Sequence, residues 1–325
     1  MAPPARRVAV VIACFNAAAF IAETIESVLH QTLPEVELLV VDDGSTDGTA
    51  QVVARFGDRV RMLSGPHVGV NAARNRGLAA TTGEHIMFLD ADDVLTPDTL
   101  AALSACLEQT RTPAVAACAW RRLVFHADAW GTAPRDVDAV PAGGDPLRGW
   151  LRGSFYLPPC ALLWPRVVLE TVGPWDETLV SNTDGDMMMR AWLVGIELRF
   201  ATDGEALYRR HAGTAHRSVS MGDSERELGS RMRVIEKVEA ALAASGRLAA
   251  YAVDMGRHYH QLARWHCLSC PALAHACEQR ARRLAGWRAV CGSAAHRLAC
   301  HLLGLPRKER LARALARWAL PGPRP

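Results

Sequence analysis

Five acidic side chains in two short segments are the part of this sequence best suited to chemistry. Asp42 and Asp43 form a pair, and Asp90, Asp92 and Asp93 form a second group within four residues. Carboxylates brought together repel one another, so such a cluster needs a positive partner. Mg²⁺ and Mn²⁺ prefer oxygen ligands and commonly bind through one or two carboxylates plus substrate phosphates. The two segments therefore predict a site for a divalent cation and a phosphorylated ligand.

The elements that must position these acids are strands and helices in alternation. Continuous Val, Ile and Leu runs predict strands buried on both faces, and apolar residues at helical spacing separate them. We predict strands at Val8–Cys14, Glu37–Val41, Arg59–Leu63 and His85–Leu89, and helices at Ala19–Gln31, Thr46–Phe56 and Val70–Ala80. This alternation is typical of an α/β fold with a largely parallel sheet. Ligands of such sheets bind beyond the carboxyl ends of the strands, where Phe15–Asn16, Asp42–Asp43 and Asp90–Asp93 lie.

The later part of the body gives weaker signals. We predict strands at Ala114–Trp120, Leu157–Trp164 and Glu197–Ala201, and a helix at Asp186–Leu193. The segment from His126 to Gly153 is rich in Gly, Pro and Asp, which predicts a surface loop. From Ser224 onward almost every residue is a helix former. The sequence therefore predicts an α/β body followed by an all-helical region.

Length and charge support this division. A chain of 325 residues, half apolar and 22% charged, suggests about two domains and excludes a disordered, collagen-like or small disulfide-stapled protein. Residues 223–325 carry 18 Lys/Arg against 8 Asp/Glu, a net charge of +10, whereas the preceding residues carry 19 against 26, a net charge of −7. We predict a catalytic domain of residues 1–222 and a basic helical domain of residues 223–325, whose role stays open.

Several segments form a recognisable set when they are taken in order. VVDDGSTDGT and FLDADD, followed by Pro97-Asp98, are the most specific, and GVNAARNRG, VGPWDETL and TDGDMMMR accompany them. Together they resemble the family 2 inverting glycosyltransferases, which have the GT-A fold. The resemblance covers about residues 7–220. It implies a GT-A-type, mostly parallel sheet flanked by helices. It also implies transfer of a sugar from a nucleotide-diphosphate sugar, with a UDP-sugar as first guess, to a hydroxyl acceptor. Bacterial polysaccharide or glycoconjugate assembly is the implied setting.

The resemblance also implies a cofactor, Mn²⁺ or Mg²⁺, and its ligands. Asp92 corresponds to the metal-holding Asp of the family's D-x-D motif, and Asp90 approaches the ribose or the waters of the metal. His211 matches a position that sometimes reaches the metal or the diphosphate, and neutral imidazole can ligate a divalent ion. A structural role is the alternative for His211. For Asp93 we favour hydrogen bonding within the loop.

Three further residues are implied to bind the nucleotide. Asp43 accepts the ring N–H of a uridine-like base, Phe15 stacks on the base, and Arg74 lies near the nucleotide, where a guanidinium suits phosphate. Each has a structural alternative. Asp43 could only shape a turn with Gly44 at positive φ, Phe15 could belong to the core, and Arg74 could pair with the acids for structure alone.

The proposed general base is Asp184. An inverting transfer needs a group that takes the proton of the acceptor hydroxyl, and the family places this Asp six residues before an Arg, here Arg190. Thr183 replaces the Glu that the family usually has, which leaves Asp186 as a rival and as a candidate acceptor or sugar contact. Trp175 and Asp176 are implied to lie near the sugar or the acceptor, although a buried Trp is an equal alternative.

The basic helical region offers two further features. Cys267 and Cys270, with flanking histidines, invite zinc, but no second Cys pair follows, and buried cysteines among Ala-rich helices are the favoured interpretation. The segment 307–320 is an amphipathic basic helix that suits either an anionic membrane surface or packing on the body. The basic residues are dispersed and accompany no nucleic-acid motif. We therefore expect a glycan or lipid-linked acceptor, peripheral membrane contact at most, and no nucleic acid.

The nine cysteines are odd in number and irregularly spaced, and no apolar run is long enough to span a bilayer. Arg6-Arg7 and the apolar run after them imitate a signal peptide, but the short β-branched run favours a first strand. We predict a cytoplasmic protein and leave peripheral binding to the inner face of the cell membrane open. Two other functional classes stay open: a nucleotidyltransferase, which would more typically have a Gly-rich loop after the first strand, and a non-catalytic sugar-nucleotide-binding or scaffolding protein.

Overall fold

The computed structural model describes residues 7–126, 129–132, 144–211 and 224–319. The chain divides into two compact units. The first comprises Met1–Pro146, Phe155–Leu179 and Thr183–Ser218, and the second comprises Leu147–Ser154, Val180–Asn182 and Val219–Pro325. The predicted boundary between residues 222 and 223 lies outside the described residues.

The described part of the first unit contains a nine-stranded sheet with helices between its strands. The strands are β1 (Val8–Cys14), β2 (Glu37–Asp42), β3 (Arg61–Ser64), β4 (His85–Asp90), β5 (Val94–Leu95), β6 (Ala114–His126), β7 (Ala129–Thr132), β8 (Leu162–Pro165) and β9 (Glu197–Arg210). The helices of the chain begin with α1 (Ile21–Leu29), α2 (Thr49–Ala54), α3 (Val70–Ala80), α4 (Thr99–Glu108), α5 (Pro146–Leu151), α6 (Arg166–Val172) and α7 (Thr183–Leu193). The predicted α/β class is confirmed.

The parallel half of the sheet brings the predicted strand ends together. The strand order is β3-β2-β1-β4-β8-β6-β9-β5, and β1 pairs in parallel with both β2 and β4. Every residue of β1 is buried, as its continuous apolar run predicts. Cys14 lies opposite Asp42, and Ala13 lies opposite Asp90. This register sets the acids after β2 and β4 on either side of the end of β1.

The other half makes the sheet mixed. β8 pairs antiparallel with β4 and β6, β7 pairs antiparallel with β6, and β5 pairs antiparallel with β9. The long strands β6 and β9 run parallel, with an irregularity between Ala117 and Ala119. Because this pairing continues to Val124 and Arg210, both strands extend well beyond the ends predicted at Trp120 and Ala201. The short strand β5 follows the acidic segment closely and ties it to β9.

The segment predicted as one loop, His126–Gly153, contains regular structure. It includes β7 and α5, and residues 133–143 lie outside the described residues. Leu147, Trp150 and Leu151 of α5 are buried. Their spacing of three and four residues is an amphipathic pattern, but one short turn is too brief to stand out in a Gly- and Pro-rich segment.

The second unit is helical, as predicted. Besides α5, it contains α8 (Glu225–Ala244), α9 (Leu248–His266), α10 (Pro271–Ala285), α11 (Ala294–Leu303) and α12 (Leu305–Ala319). α8 begins with a capping box in which Ser224 and Glu227 each bind the other's backbone N–H. Asp254 of α9 is buried and binds Arg148 and Arg152, at 2.8 and 2.6 Å. None of the helices in the described ranges has the length and apolarity needed to cross a membrane.

Candidate active site

Arg74 is the cation that the acidic cluster requires. It lies on α3 and is buried, and its Nη2 donates to Asp90 Oδ1 at 2.7 Å while its Nη1 donates to Asp184 Oδ1 at 3.3 Å. Asp90 ends β4, whereas Asp184 lies in the first turn of α7, so one guanidinium joins residues 94 positions apart. The carboxylates are partly exposed, at 31% for Asp90 and 22% for Asp184. The structure thus brings together three residues predicted to act on a donor and an acceptor.

The environment of Asp184 opposes its ionisation. Burial raises the pKa of Asp184 above its ordinary value, and the charge of Asp90 acts in the same direction, while Arg74 and hydrogen bonds from Thr183 and Tyr156 lower the pKa in part. The Tyr156 hydroxyl donates to Asp184 Oδ2 at 3.4 Å. Because burial raises the pKa of Tyr156 well above its usual range, this hydroxyl stays protonated. A carboxylate with a raised pKa is a better proton acceptor than an ordinary Asp.

Asp92 and His211 form a second pair beside this cluster. His211 Nε2 lies 2.7 Å from Asp92 Oδ2. The Asp92 side chain is 31% exposed, whereas His211 is nearly buried and its ring packs against Phe20, with centroids 4.9 Å apart. One carboxylate oxygen and one imidazole nitrogen at this separation are suitable ligands for Mn²⁺ or Mg²⁺. The predicted metal ligands therefore lie together, and their chemistry fits a divalent cation.

Asp93 faces away from this pair and is fully buried. Its Oδ1 accepts the backbone N–H of Arg209 at 2.8 Å. Burial raises the pKa of Asp93 well above its ordinary value, and the charges of Asp92 and Asp90 add to that effect. Arg209 also donates from Nε to the carbonyl of Asp92 at 2.6 Å. Asp93 thus has the role within the loop that the sequence favoured, and it anchors the acidic segment to β9.

The end of β2 is organised differently. Asp43 is 2% exposed, and its carboxylate accepts the N–H groups of Val68 and Gly69 at 3.1 and 2.8 Å. Arg76 and His67 also contact it, at 3.2 and 2.8 Å. These contacts commit the carboxylate to the loop that leads into α3. The contact of Asp43 with a nucleotide base stays a prediction, and the described bonds favour the loop-shaping alternative.

Gly44 lies where the loop after β2 packs against the loop between β3 and α3. Its φ is +85°, as predicted, and a Cβ on this residue would lie 2.9 Å from the backbone nitrogen of His67. Asp42, two residues before Gly44, is also buried, and its Oδ1 accepts the backbone N–H of Ser45 at 3.0 Å. Glycine is therefore required at position 44 both by its conformation and by packing.

Phe15 is 45% exposed, so it is not a core residue. Its ring stacks on His67, with centroids 4.0 Å apart and an interplanar angle of 21°. His67 in turn contacts the Asp43 carboxylate. The result is an exposed, supported aromatic face at the end of β1, which is suited to stacking against a planar base.

Trp175 and Asp176 take structural positions. Trp175 is buried, packs edge-on against Phe88 with centroids 5.1 Å apart, and carries the Arg74 guanidinium 4.4 Å from its ring centroid. Asp176 Oδ1 accepts the backbone N–H and the hydroxyl of Thr178, at 2.9 and 2.7 Å. Trp175 therefore supports the Arg74 guanidinium with the face of its ring. It is buried, which was one of the two interpretations that the sequence allowed. The predicted sugar contacts of both residues stay predictions.

Asp186 differs from Asp184 in the residue that it contacts. It is buried and accepts from Arg190 Nε at 2.9 Å, one helical turn along α7. Arg190 also donates to the carbonyls of Val172 and Pro174, at 2.6 and 2.9 Å. This ion pair fixes the segment that precedes Trp175. Of the two candidate bases, Asp184 is the one that joins the cluster with Arg74 and Asp90.

Three residues of the site were not found by sequence reasoning: Tyr156, His67 and Arg209. Tyr156 lies in a segment with no motif, and nothing in its neighbourhood predicts contact with α7. His67 precedes the GVNAARNRG segment by two residues, so proximity along the chain was an available signal. Arg209 lies two residues before His211, where alternation along a strand could have suggested a role.

Comparisons with known proteins indicate the family of the first part of the chain. Residues 9–157 match the model of the family described as Glycosyl transferase family 2. An uncharacterized glycosyltransferase of Nostoc sp. is 29% identical over 238 residues, which cover 69% of this chain and 71% of that protein. Chondroitin synthase of Pasteurella multocida is 34% identical over 116 residues, which cover 35% of this chain but only 12% of the synthase.

Solved structures show the same fold over nearly the whole chain. S. aureus TarS 1-349 in complex with UDP-GlcNAc has a TM-score of 0.68 at 15% sequence identity, and the match covers 96% of this chain and 92% of that one. A second crystal structure of S. aureus TarS 1-349 has a TM-score of 0.66 at 16% sequence identity. The fold is therefore of the GT-A type. Residues 9–157, somewhat under half of the chain, match glycosyltransferase family 2.

Proposed function

We propose that this enzyme transfers a sugar from a UDP-sugar to a hydroxyl group of a glycan or lipid-linked acceptor, with inversion at the anomeric carbon. The observation that carries the proposal is the Arg74 bridge between Asp90 and Asp184. It sets one carboxylate at the end of a central strand, where GT-A proteins bind a nucleotide, beside another carboxylate that is suited to accept a proton. The match of residues 9–157 to family 2 supports a glycosyl transfer rather than a nucleotidyl transfer.

Asp184 is the proposed base. In a single displacement, the acceptor oxygen attacks the anomeric carbon from the face opposite the diphosphate, the bond from that carbon to the diphosphate oxygen breaks, and the hydroxyl proton moves to the carboxylate. Two effects oppose each other at Asp184: burial raises its pKa, while Arg74 favours the charged form. The net effect is a raised pKa, which makes the ionised carboxylate a stronger base than an ordinary Asp.

Asp92 and His211 are the proposed ligands for Mn²⁺ or Mg²⁺. Their carboxylate oxygen and imidazole nitrogen already face one another. When bound, the cation would neutralise charge that develops on the departing diphosphate. Arg209 holds the carbonyl of Asp92 and Asp93 holds the backbone of Arg209, so the position of Asp92 is maintained from β9.

Phe15 and Arg74 are the proposed contacts of the nucleotide. The exposed face of Phe15 suits stacking against uracil, and it is held in place by the His67 ring. UDP is favoured because structures of TarS are described in complex with UDP-GlcNAc and with UDP. Asp43 then acts indirectly, since it fixes the loop that presents His67.

The second unit suggests how an acceptor could be reached. It is strongly basic, and Leu311 and Leu315 on α12 are 51% and 61% exposed. Exposed leucines on a basic helix suit the surface of an anionic membrane. We propose peripheral contact of these helices with a membrane that carries a lipid-linked acceptor; nucleic acid has no part in the proposal.

The experiment is calorimetric titration of the purified protein with UDP, GDP, CDP and dTDP, each with and without Mn²⁺. A metal-dependent preference for UDP is expected. Release of UDP from a panel of UDP-sugars is then measured with acceptor extracts. Binding to none of the four nucleotides would overturn the proposal, and tight UDP binding without any transfer would favour a non-catalytic sugar-nucleotide-binding protein.

A further inference from the structure

Three side chains of the second unit gather in a way that neither the fold nor the transfer reaction requires. They are His260 on α9 and His296 and Cys300 on α11. One ligand atom from each lies within 4.8 Å of the other two. This is the only group of three or more metal-ligating side chains found in the part of the chain that the structure describes.

The spacing on α11 sets two of these groups on one face. Residues four apart in a helix lie one above the other, and His296 Nε2 is 3.3 Å from Cys300 Sγ. A tetrahedral zinc ion, with bonds of about 2.0 Å to nitrogen and about 2.3 Å to sulfur, needs a nitrogen–sulfur separation of about 3.5 Å. Gly292 leaves space for the imidazole, since a Cβ there would lie 3.0 Å from His296 Cδ2.

His260 is already oriented as a metal-ligating histidine would be. Its ring is fully buried, and its Nδ1 lies 2.8 Å from Glu278 Oε2 on α10. The Nε2 atom is buried and has no hydrogen-bond partner among the described residues. Histidines that bind metals usually donate their second ring N–H to a carboxylate, which fixes the tautomer and the ring orientation. Glu278 therefore leaves Nε2 as the nitrogen available to a metal.

The charges around the cluster do not prevent a cation from binding. Arg264 and Lys308 lie near it, but both contact Glu309, at 3.2 and 2.9 Å. Glu278 contributes a further negative charge next to His260. Cys267 and Cys270, the pair that the sequence suggested for zinc, are buried cysteines that do not belong to this group.

We propose that His260, His296 and Cys300 bind one zinc ion, which ties α11 to α9 within the helical unit. Two imidazoles and one thiolate are a donor set that favours Zn²⁺. Mg²⁺ and Mn²⁺ favour oxygen ligands instead. Three protein ligands leave a fourth position for water or an exogenous ligand. The metal is thus different in kind from the one proposed at Asp92.

The first test is metal content. The full-length protein is produced with added zinc, passed over a desalting column and analysed by inductively coupled plasma mass spectrometry. About one equivalent of zinc per chain is expected, and H260Q and C300S should each retain less than a tenth of it. C267S, a buried cysteine outside the cluster, and D92N, which alters the other proposed metal site, should retain it in full. Absence of zinc from the wild-type protein, or equal loss in the two control variants, would overturn the proposal.

The second test does not depend on the variants folding. The wild-type protein is stripped with a chelator, its helical circular dichroism is checked, and Co²⁺ is added. A tetrahedral cobalt spectrum with a sulfur-to-cobalt charge-transfer band is expected, and alkylation followed by mass spectrometry should show that metal protects Cys300 but not Cys267. A folded protein with no such band, and with equal alkylation of Cys300 with and without metal, would show that Cys300 and His296 form only a hydrogen bond.

Discussion

The ends of β2 and β4 both carry a pair of aspartates after a buried strand, yet the structure uses the two pairs differently. At the end of β2, Asp42 and Asp43 are buried, and their carboxylates accept hydrogen bonds from backbone N–H groups. At the end of β4, Asp90 and Asp92 are each 31% exposed. They contact Arg74 and His211, groups that could also bind a ligand.

This difference teaches that the acidic motifs contain two kinds of carboxylate. A buried carboxylate surrounded by N–H donors has no oxygen left for a ligand, so it stabilises a loop. A partly exposed carboxylate beside a cation keeps a face for a metal, a phosphate or a hydroxyl group. The same difference in burial separates Asp93 from Asp92 and Asp186 from Asp184. Burial and partners, rather than position in a motif, therefore assign the roles.

The largest effect is expected for D184N. The amide cannot accept the acceptor's proton, so transfer should fall by about 10³-fold, within the range for a positioned general base, while UDP binding should change little. Initial rates and calorimetric titration measure the two quantities. D203N, which alters an exposed carboxylate on β9, should leave both unchanged. Normal turnover in D184N would remove Asp184 as the base and break the distinction from Asp186.

The matched pair D92N and D93N tests the acidic segment at single-residue resolution. D92N should weaken the Mn²⁺-dependent part of UDP binding by about 100-fold, since it removes a charged metal ligand. D93N should retain that binding, because Asp93 is buried, has a raised pKa and faces Arg209. Titration with and without Mn²⁺ gives both values. Loss of Mn²⁺ dependence in D93N but not in D92N would reverse the assignment of the two carboxylates.

At the end of β2, D43N should affect stability more than chemistry. The amide retains one acceptor oxygen but sets an NH₂ group against a backbone N–H, so the free energy of unfolding should fall by about 1–3 kcal/mol. Urea denaturation measures this loss, with D58N, an exposed carboxylate, as the control. The preference for UDP over GDP should persist. A variant as stable as the wild type that loses this preference would instead place Asp43 on the base.

The smallest effect is expected for Y156F. Its hydroxyl helps to lower the pKa of Asp184, so its removal should raise that pKa. A base works when deprotonated, so the rate is lost as pH falls through the pKa, and the acid limb of the pH–rate profile should move to higher pH. Y208F alters a ring whose centroid lies 6.2 Å from that of Tyr156. It should leave the acid limb of the profile unchanged. A shift to lower pH in Y156F would contradict the described hydrogen bond.

Much of the catalytic region follows from the sequence by itself. Buried strands of a parallel sheet have continuous apolar runs, and their carboxyl ends meet at one edge, so the acids after β2 and β4 had to lie near each other. The motifs of family 2 added Arg74 and Asp184, which the structure joins across α3 and α7. These inferences succeed because they rest on local runs and on one general property of parallel sheets.

Only the tertiary structure decided which of these groups is accessible and what each one contacts. Tyr156 donates to Asp184, and Arg190 pairs with Asp186. Both contacts depend on how β8, α6 and α7 pack, and no spacing along the chain predicts them. The helical unit shows the same limit. The C-x-x-C pattern drew attention to Cys267 and Cys270, whereas the cluster joins His260 on α9 to His296 and Cys300 on α11, and His296 lies 36 residues after His260. Burial and hydrogen-bond partners depend on contacts between distant segments, and these exist only once the chain has folded.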